Sequence, residues 1–297
     1  MSEHHHHHHV SGKNLLITII LNIIITLSQI VGGIFSGSLA LLSDAMHNFS
    51  DVLSLVIAYV ANRFAARPSS PSKTFGYKRA EILATLFNAS VLLGIGIFLI
   101  IESFHKFYHP EIVNSIWVIG LGALSILLNA VSVLLVKDDA DNNMNIKAAY
   151  LHLLSDVMTS IAVVIGGILM YYYQLFWVDP VVSLIIAIYL IWASFGLIKE
   201  SAAILMQFAP KSINIDELVS RVKEEVKIEN IHHIHLWRLD DHHIHLEAHL
   251  DFTENITIEE SNKIIDKLEK SLHEKFNIKH TTFQCEFNRE DDKSIIV

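Results

Sequence analysis

A mostly apolar run of the chain reads LLITIILNIIITLSQIVGGIF, residues Leu15–Phe35. A transmembrane helix needs roughly 20 mainly apolar residues, and this run meets that length. It is too long for the apolar part of a secretory signal peptide, which has about 7–15 residues. Only Ser36-Gly37-Ser38 separates it from a second apolar run. The two runs therefore predict a retained hairpin of transmembrane helices.

Further apolar runs of the same length follow, so the sequence predicts six transmembrane helices and the lipid bilayer as their environment. The composition agrees, because 18% of the residues are charged, against about 25% in soluble proteins. The net charge of -9 argues against nucleic acid as a partner, since such binding needs clustered Lys and Arg. The predicted helices are Leu15–Phe35, Leu39–Ala61, Ile82–Ile101, Ile112–Val136, Ala148–Tyr172 and Trp177–Ile198.

The basic residues of the short loops predict the orientation of the helices. Lys and Arg concentrate on the cytoplasmic side of a membrane protein. Here they lie between the second and third runs and between the fourth and fifth, whereas the opposite loops hold only Lys106. We therefore expect both termini in the cytoplasm, with Cys285 as a free thiol. The single cysteine, the compact length and the short loops favour a bacterial inner membrane, with an organelle membrane as the alternative.

The C-terminal part is polar and predicts an α-β-β-α-β domain. Two of its segments alternate apolar and polar residues, as half-buried strands do. About 85 residues are near the lower limit for one core, so pairing with a second copy is expected. The predicted elements are a helix Asp216–Val226, strands Ile231–Leu239 and His243–Phe252, a helix Ile258–Phe276 and a strand His280–Phe287. The expected domains are a His-rich segment 1–13, a six-helix membrane domain 14–208 and a ferredoxin-like domain 209–297.

Two of the predicted membrane helices carry the same motif, H-x-x-S-D-V. It places His47 with Asp51 in the second helix and His152 with Asp156 in the fifth. Residues four apart lie on one face of a helix. Ionisable groups inside the membrane are costly, and each indicates function. The alternative is that these residues only form hydrogen bonds between helices. That explanation could account for one such histidine, but it accounts less well for a motif that is repeated in two helices.

Two imidazoles and two carboxylates form a tetrahedral set that suits Zn²⁺. A catalytic zinc keeps an open coordination position for water. Four protein ligands would fill the coordination sphere of the ion, so we expect a carrier and not an enzyme. A membrane metalloenzyme and a metal sensor without flux remain alternatives. Asp44 lies roughly on the face of Asp51. It could assist uptake of the ion or cap a helix near the membrane edge.

Several stretches resemble the cation diffusion facilitator family. GSLALLSDAMH (Gly37–His47), continuing to Asp51, resembles its second membrane helix, and FGYKRAE (Phe75–Glu81) resembles the start of its third. NIKAAYLH (Asn145–His152) resembles the start of its fifth, and IHHIHLW (Ile231–Trp237) its cytoplasmic domain. The resemblance covers nearly the whole chain from Gly12 onward.

The resemblance implies a homodimeric exporter of zinc that works by proton antiport with alternating access. Its partners would be a divalent metal ion, protons and a second copy of the chain. It implies that His47, Asp51, His152 and Asp156 form the transport site. In that family, histidine at the first position of both motifs goes with a preference for zinc.

The resemblance also suggests a regulatory zinc site in the cytoplasmic domain. His232 and His249 match the family's ligands there by position, and Glu286 offers a carboxylate. Asn262 and Gln284 stand where the family can have histidine, so we expect a weakened or rearranged site. His280 either caps the last strand or joins that site.

Three other segments depart from the family or leave two explanations open. Some members have an acidic residue at the position of Gln207, and it pairs across the dimer with the basic start of the third helix. Gln207 cannot make that ion pair, so this link between protomers is not expected here. The loop Ala66–Thr74 lacks His and Asp, so we expect no metal site there. The run His4–His9 is either a purification tag or native.

Overall fold

The computed structural model describes residues 12–65, 67–140, 144–241 and 243–296. The run His4–His9 lies outside the described residues. Contacts divide the chain into two compact units. One holds the described residues up to Tyr59 together with Phe87–Ile198, and the other holds Val60–Leu86 and the chain from Lys199 onward.

Six long helices form the transmembrane region, as the sequence predicts. They are α1 (Gly12–Ser36), α2 (Leu39–Ala65), α3 (Ala80–Tyr108), α4 (Ser115–Ala140), α5 (Met144–Tyr173) and α6 (Val178–Leu205). Most extend beyond the predicted apolar runs, because the helical backbone hydrogen bonds continue into polar residues at the helix ends. α4 is an exception and begins three residues late. The preceding residue, Asn114, is not helical, and its amide donates to the carbonyl of Ser36 at the end of α1 at 2.9 Å.

Four of these helices are long and apolar enough to cross a membrane when only the described residues are considered. They contain the stretches Ala80–Tyr108, Ser115–Leu135, Leu153–Tyr173 and Val178–Leu205. The described apolar part of α1, Ile20–Ser36, is shorter. α2 carries His47 and two aspartates among its apolar residues, which lowers its hydropathy.

The turn between α1 and α2 is held by a carboxylate from α6. Gly37 lies at φ +71, a conformation that favours glycine, so the chain can reverse at once. Asp179 then accepts hydrogen bonds from the hydroxyl of Ser38 and from the amides of Leu39 at 2.7 Å and Ala40 at 3.2 Å. These amides are at the start of α2, where no intrahelical partner exists. Asp179 therefore caps α2 from another helix.

Helices α4 and α5 pack closely where small residues allow it. A Cβ atom added at Gly122 would lie 2.6 Å from Cγ2 of Val164. Close backbone approach at glycine is typical of helix packing in membranes. The buried core of this region draws on several helices and includes Leu41, Leu99, Met170 and Leu190.

The polar C-terminal part forms the predicted αββαβ domain. Its elements are α7 (Ile215–Lys223), β1 (Ile228–Arg238), β2 (Ile244–Phe252), α8 (Ile258–Phe276) and β3 (Ile278–Glu286). The sheet order is β1-β2-β3, with β1 and β2 antiparallel and β2 and β3 parallel. α8 crosses between the two parallel strands, and its fully buried Leu268 and Leu272 pack in the core beneath them.

Side-chain caps explain where the two helices of this domain begin and end. Asn214 accepts from the amides of Asp216 and Glu217 at the start of α7. Thr257 accepts from the amide of Glu260, and α8 ends at Asn277 in the left-handed region. The prediction that the first helix reaches Val226 is wrong, since α7 ends at Lys223 and a turn leads directly into β1.

Strand β1 is interrupted by an irregularity that alternation could not reveal. The pairing register with β2 shifts between His232 and His235, and His233 has φ 52. Ile231 and His232 are consequently both buried although they are adjacent in sequence. A bulge of this kind redirects a side chain, and here it turns His232 into the domain.

Candidate metal sites

The first candidate site lies between α2 and α5. His47 and Asp51 are one turn apart on α2, with Nε2 of His47 3.8 Å from Oδ2 of Asp51. Nε2 is also 3.2 Å from Oδ1 of Asp156 on α5. Ligands about 2.1 Å from a tetrahedral zinc lie about 3.4 Å from one another. The three predicted side chains are therefore spaced as ligands of one small ion.

The fourth predicted ligand, His152, is on α5 one turn before Asp156. Its side chain lies outside the described residues. The helical spacing places its Cα on the same face as that of Asp156.

This site is deeply buried. The side chain of Asp156 has no exposed surface, and that of His47 is 8% exposed. Asp51 is more open, at 22%. Among the described residues, Oδ2 of Asp156 has no hydrogen-bond partner. A buried carboxylate oxygen without a donor is costly, and a bound cation would compensate it.

Asp44 belongs to a polar network next to the site. Its Oδ2 accepts from Nε2 of Gln29 at 2.5 Å and from Oγ of Ser160 at 3.0 Å. Asn48 donates to Oε1 of Gln29 at 2.8 Å. Asp44 is fully buried and its side chain bonds to α1 and α5, so the expectation that it caps a helix near the membrane edge is wrong. The sequence did not identify Gln29 and Ser160, since their long-range pairing has no local signal.

The second candidate site lies in the C-terminal domain and joins four side chains. Nε2 of His232 is 3.6 Å from Oε2 of Glu286 and 3.7 Å from Oδ2 of Asp291. Nδ1 of His249 is 3.0 Å from Oε1 of Glu286. The structure thus brings His232, His249 and Glu286 together, as predicted, and adds Asp291.

Strand pairing and the bulge create this second cluster. His232 pairs with His249 across β1 and β2, and Glu286 ends β3 beside Asp251 of β2. Oδ2 of Asp251 lies 3.2 Å from Nδ1 of His232. Nε2 of His232 is the nitrogen that faces the cluster, since it lies near Glu286 and Asp291, while Asp251 stands beside Nδ1.

Two cations of the C-terminal tail lie against the same carboxylates. Nζ of Lys293 is 2.8 Å from Asp251 and 3.2 Å from Glu286, and it also contacts Asp291. Loss of solvent opposes protonation of Lys293, but its hydrogen bonds to Asp251, Asp291 and Glu286 prevail and raise its pKa. The hydrogen bond from Lys293 lowers the pKa of Asp291. Arg289 donates to Glu286 at 2.9 Å.

The remaining predicted positions lie around or away from this cluster. Gln284 donates to Oε1 of Glu286 at 2.6 Å, so it supports the carboxylate where the family can have histidine. The expectation that His280 caps β3 or joins the cluster is wrong, because it lies inside β3 and its ring is 4.7 Å from that of His245. Gln207 lines a cavity of about 220 Å³ with Lys78 and Arg79.

Comparisons with known proteins cover both parts of the chain. A family model for a cation efflux transmembrane domain matches residues 15–206. A model for the cytoplasmic domain of cation efflux proteins matches residues 210–287.

Several curated bacterial proteins are similar over most of their length. A cadmium, cobalt and zinc/H(+)-K(+) antiporter of Bacillus velezensis is 35% identical over 93% of this chain and 89% of its own. The zinc transporter ZitB of Escherichia coli is 30% identical over 88% of this chain and 83% of its own. The cation efflux protein CzcD of Cupriavidus metallidurans is 29% identical over 88% of this chain and 82% of its own.

Proposed function

Because this chain belongs to the cation diffusion facilitator family, we propose that it exports Zn²⁺ from the cytoplasm in exchange for protons. It is an integral membrane transporter of metal cations and not an enzyme. The proposal concerns the cargo, the coupling ion and the residues that bind the cargo.

The observation that carries the proposal is the buried cluster of His47, Asp51 and Asp156. Nitrogen and oxygen donors at these separations suit Zn²⁺ better than a hard cation such as Mg²⁺. Two carboxylates cancel the charge of the ion, so the loaded site is neutral where charge is costly. We propose that His152 supplies the fourth ligand. The names of relatives that include zinc support this cargo.

Proton coupling follows from the chemistry of these ligands. Zinc binds neutral imidazole and ionised carboxylate, so loading the site releases protons. When the site faces the other side of the membrane, protons that bind His47, Asp51 and their partners on α5 displace the ion. The protonated site then returns, which completes an exchange of zinc against protons. The printed name of one relative includes H(+).

The proposal also assigns the rest of the chain. Residues 14–208 form the transport domain of each protomer, and residues 209–297 form a cytoplasmic domain that pairs two protomers. Both termini face the cytoplasm, and the membrane is a bacterial inner membrane. In the cytoplasmic domain, His232, His249 and Glu286 bind a regulatory zinc ion. The similarity to the cytoplasmic domain of efflux proteins supports this assignment.

Zinc flux into sealed proteoliposomes tests the transport proposal. The protein is prepared without residues 4–9, since a hexahistidine run binds zinc by itself. We expect flux that depends on a pH gradient and that is lost in Asp51→Ala, whereas Asp266→Asn on the exposed face of α8 behaves as wild type. Bound zinc without flux in the wild-type protein would refute transport and indicate a sensor. Flux that ignores the pH gradient would refute proton coupling alone.

A further inference from the structure

The chain continues beyond the part that matches the family model, and this tail folds back on the sheet. The match ends at residue 287. The carbonyl of Ser294 accepts from the amide of His233 at 3.0 Å, and that of Ile295 accepts from Ile234 at 2.8 Å. β1 is an edge strand, so the tail is fastened to its outer side next to the bulge.

This attachment places opposite charges of the tail in the second candidate site. Oδ2 of Asp291 is 3.7 Å from Nε2 of His232, close to the ligand separation of about 3.4 Å expected around tetrahedral zinc. Two residues later, the ammonium of Lys293 touches Asp251, Glu286 and Asp291. The tail therefore brings both a further ligand and a competing cation.

The imidazole of His232 indicates independently that a cation belongs here. Its side chain has no exposed surface. Within the described part of the chain, neither of its ring nitrogens makes a hydrogen bond of acceptable geometry. A buried polar group without a partner is costly. A metal ion on Nε2 would satisfy the ring, while Asp251 already stands at Nδ1.

We propose that the C-terminal tail is part of the cytoplasmic metal site. Asp291 supplies its fourth ligand, and the ammonium of Lys293 occupies its carboxylates until a divalent metal displaces it. This inference rests on the proposed zinc site of His232, His249 and Glu286 and assigns its regulation.

The charges explain why the metal and Lys293 exclude one another. Asp251, Glu286 and Asp291 carry three negative charges, and Arg289 and Lys293 supply two positive ones. If zinc joined this set while Lys293 stayed, a net positive charge would remain in a partly buried place. If Lys293 leaves when zinc binds, the set is neutral. The side chain of Lys293 is 35% exposed, so it can move into solvent. Its competition raises the zinc concentration that fills the site.

Zinc affinity of the full-length protein in detergent tests the proposal. Residues 4–9 are deleted and Asp51→Ala silences the transport site, so that competition with a chromophoric chelator reports the cytoplasmic site. Lys293→Met removes the competitor, and we expect zinc to bind at least about tenfold more tightly, as when a competing state is abolished. Asp291→Asn removes a ligand and should weaken binding at least about tenfold. Lys263→Met removes a positive charge from an exposed position of α8. It is the control for the loss of charge, and it should leave the zinc affinity unchanged.

The results distinguish failure of the proposed role of the tail from failure of the zinc site itself. If His232→Ala abolishes binding but Lys293→Met and Asp291→Asn leave it unchanged, the zinc site stands and the role of the tail is refuted. If neither the parent protein nor Lys293→Met binds zinc, the site itself is refuted. Acetylation of Lys293, read by mass spectrometry, should rise when zinc is added, and unchanged labelling would refute displacement.

Discussion

Replacing Asp156 by asparagine isolates the charge of the most deeply buried of the proposed ligands. Asparagine has nearly the same shape, so packing between α2 and α5 is retained. The side chain of Asp156 has no exposed surface, and its Oδ1 lies 3.2 Å from Nε2 of His47. The substitution leaves a bound Zn²⁺ with one carboxylate from Asp51 and therefore with one uncompensated positive charge.

The cost of that charge sets the size of the expected effect. One uncompensated charge at the centre of a membrane helix costs about 2.5–3.5 kcal/mol on insertion scales. Since about 1.4 kcal/mol corresponds to a tenfold change, zinc affinity should fall roughly 60- to 300-fold in Asp156→Asn. Asp51→Asn should cost less, because the side chain of Asp51 is 22% exposed and solvent screens part of the remaining charge.

The assay is zinc binding by chelator competition in detergent, with residues 4–9 deleted and His232→Ala silencing the proposed site of the C-terminal domain. Asp266→Asn, on the exposed face of α8, is the matched control and should bind as the parent does. Size-exclusion profiles verify that each variant folds. A change of less than about threefold in Asp156→Asn, or a larger effect in Asp51→Asn, would contradict the argument from burial.

Other parts of the structure give further predictions. Asp179→Ala removes the cap of α2 and should cost about 0.5–2 kcal/mol, seen as a lower melting temperature in detergent; an unchanged temperature would refute capping by α6. Leu272→Ala opens a cavity in the core under the sheet and should cost about 2–5 kcal/mol, seen as faster hydrogen exchange in β2 but not in α4. Burial and repulsion from His280 lower the pKa of His245 below its ordinary 6.5. The unfolded chain then binds the proton more readily, so stability falls as the pH drops below about 6.5 and levels off below the folded pKa; His245→Gln should flatten that decline, and an unaltered decline would contradict it.

Local patterns predicted much of the fold because they depend on neighbours in sequence. The helix Ile258–Phe276 has the predicted bounds, since Thr257 and the left-handed Asn277 mark its ends. The repeated motif identified His47, Asp51 and Asp156 because residues four apart share a helix face. These features need no knowledge of the tertiary arrangement.

Features that depend on distant contacts were not predictable in this way. The pairing of Asp44 with Gln29 and Ser160 requires three helices to meet, so the local sequence suggested a cap instead. The bulge at His233 interrupts an alternation that the sequence still displays. Asp291 is one of several acidic residues near the end of the chain, and only the folded tail distinguishes it.

The tail on β1 also affects how the sheet meets other molecules. An unpaired edge strand offers its amides to a strand from another chain, which favours aggregation. The segment Ile231-His232-His233-Ile234 would be such an edge, but Ser294 and Ile295 already occupy the amides of His233 and Ile234. A protein trimmed to the residues that match the family would lose this cover. It should therefore self-associate through β1 in a way that the full chain resists, and no membrane or metal would be needed for that difference.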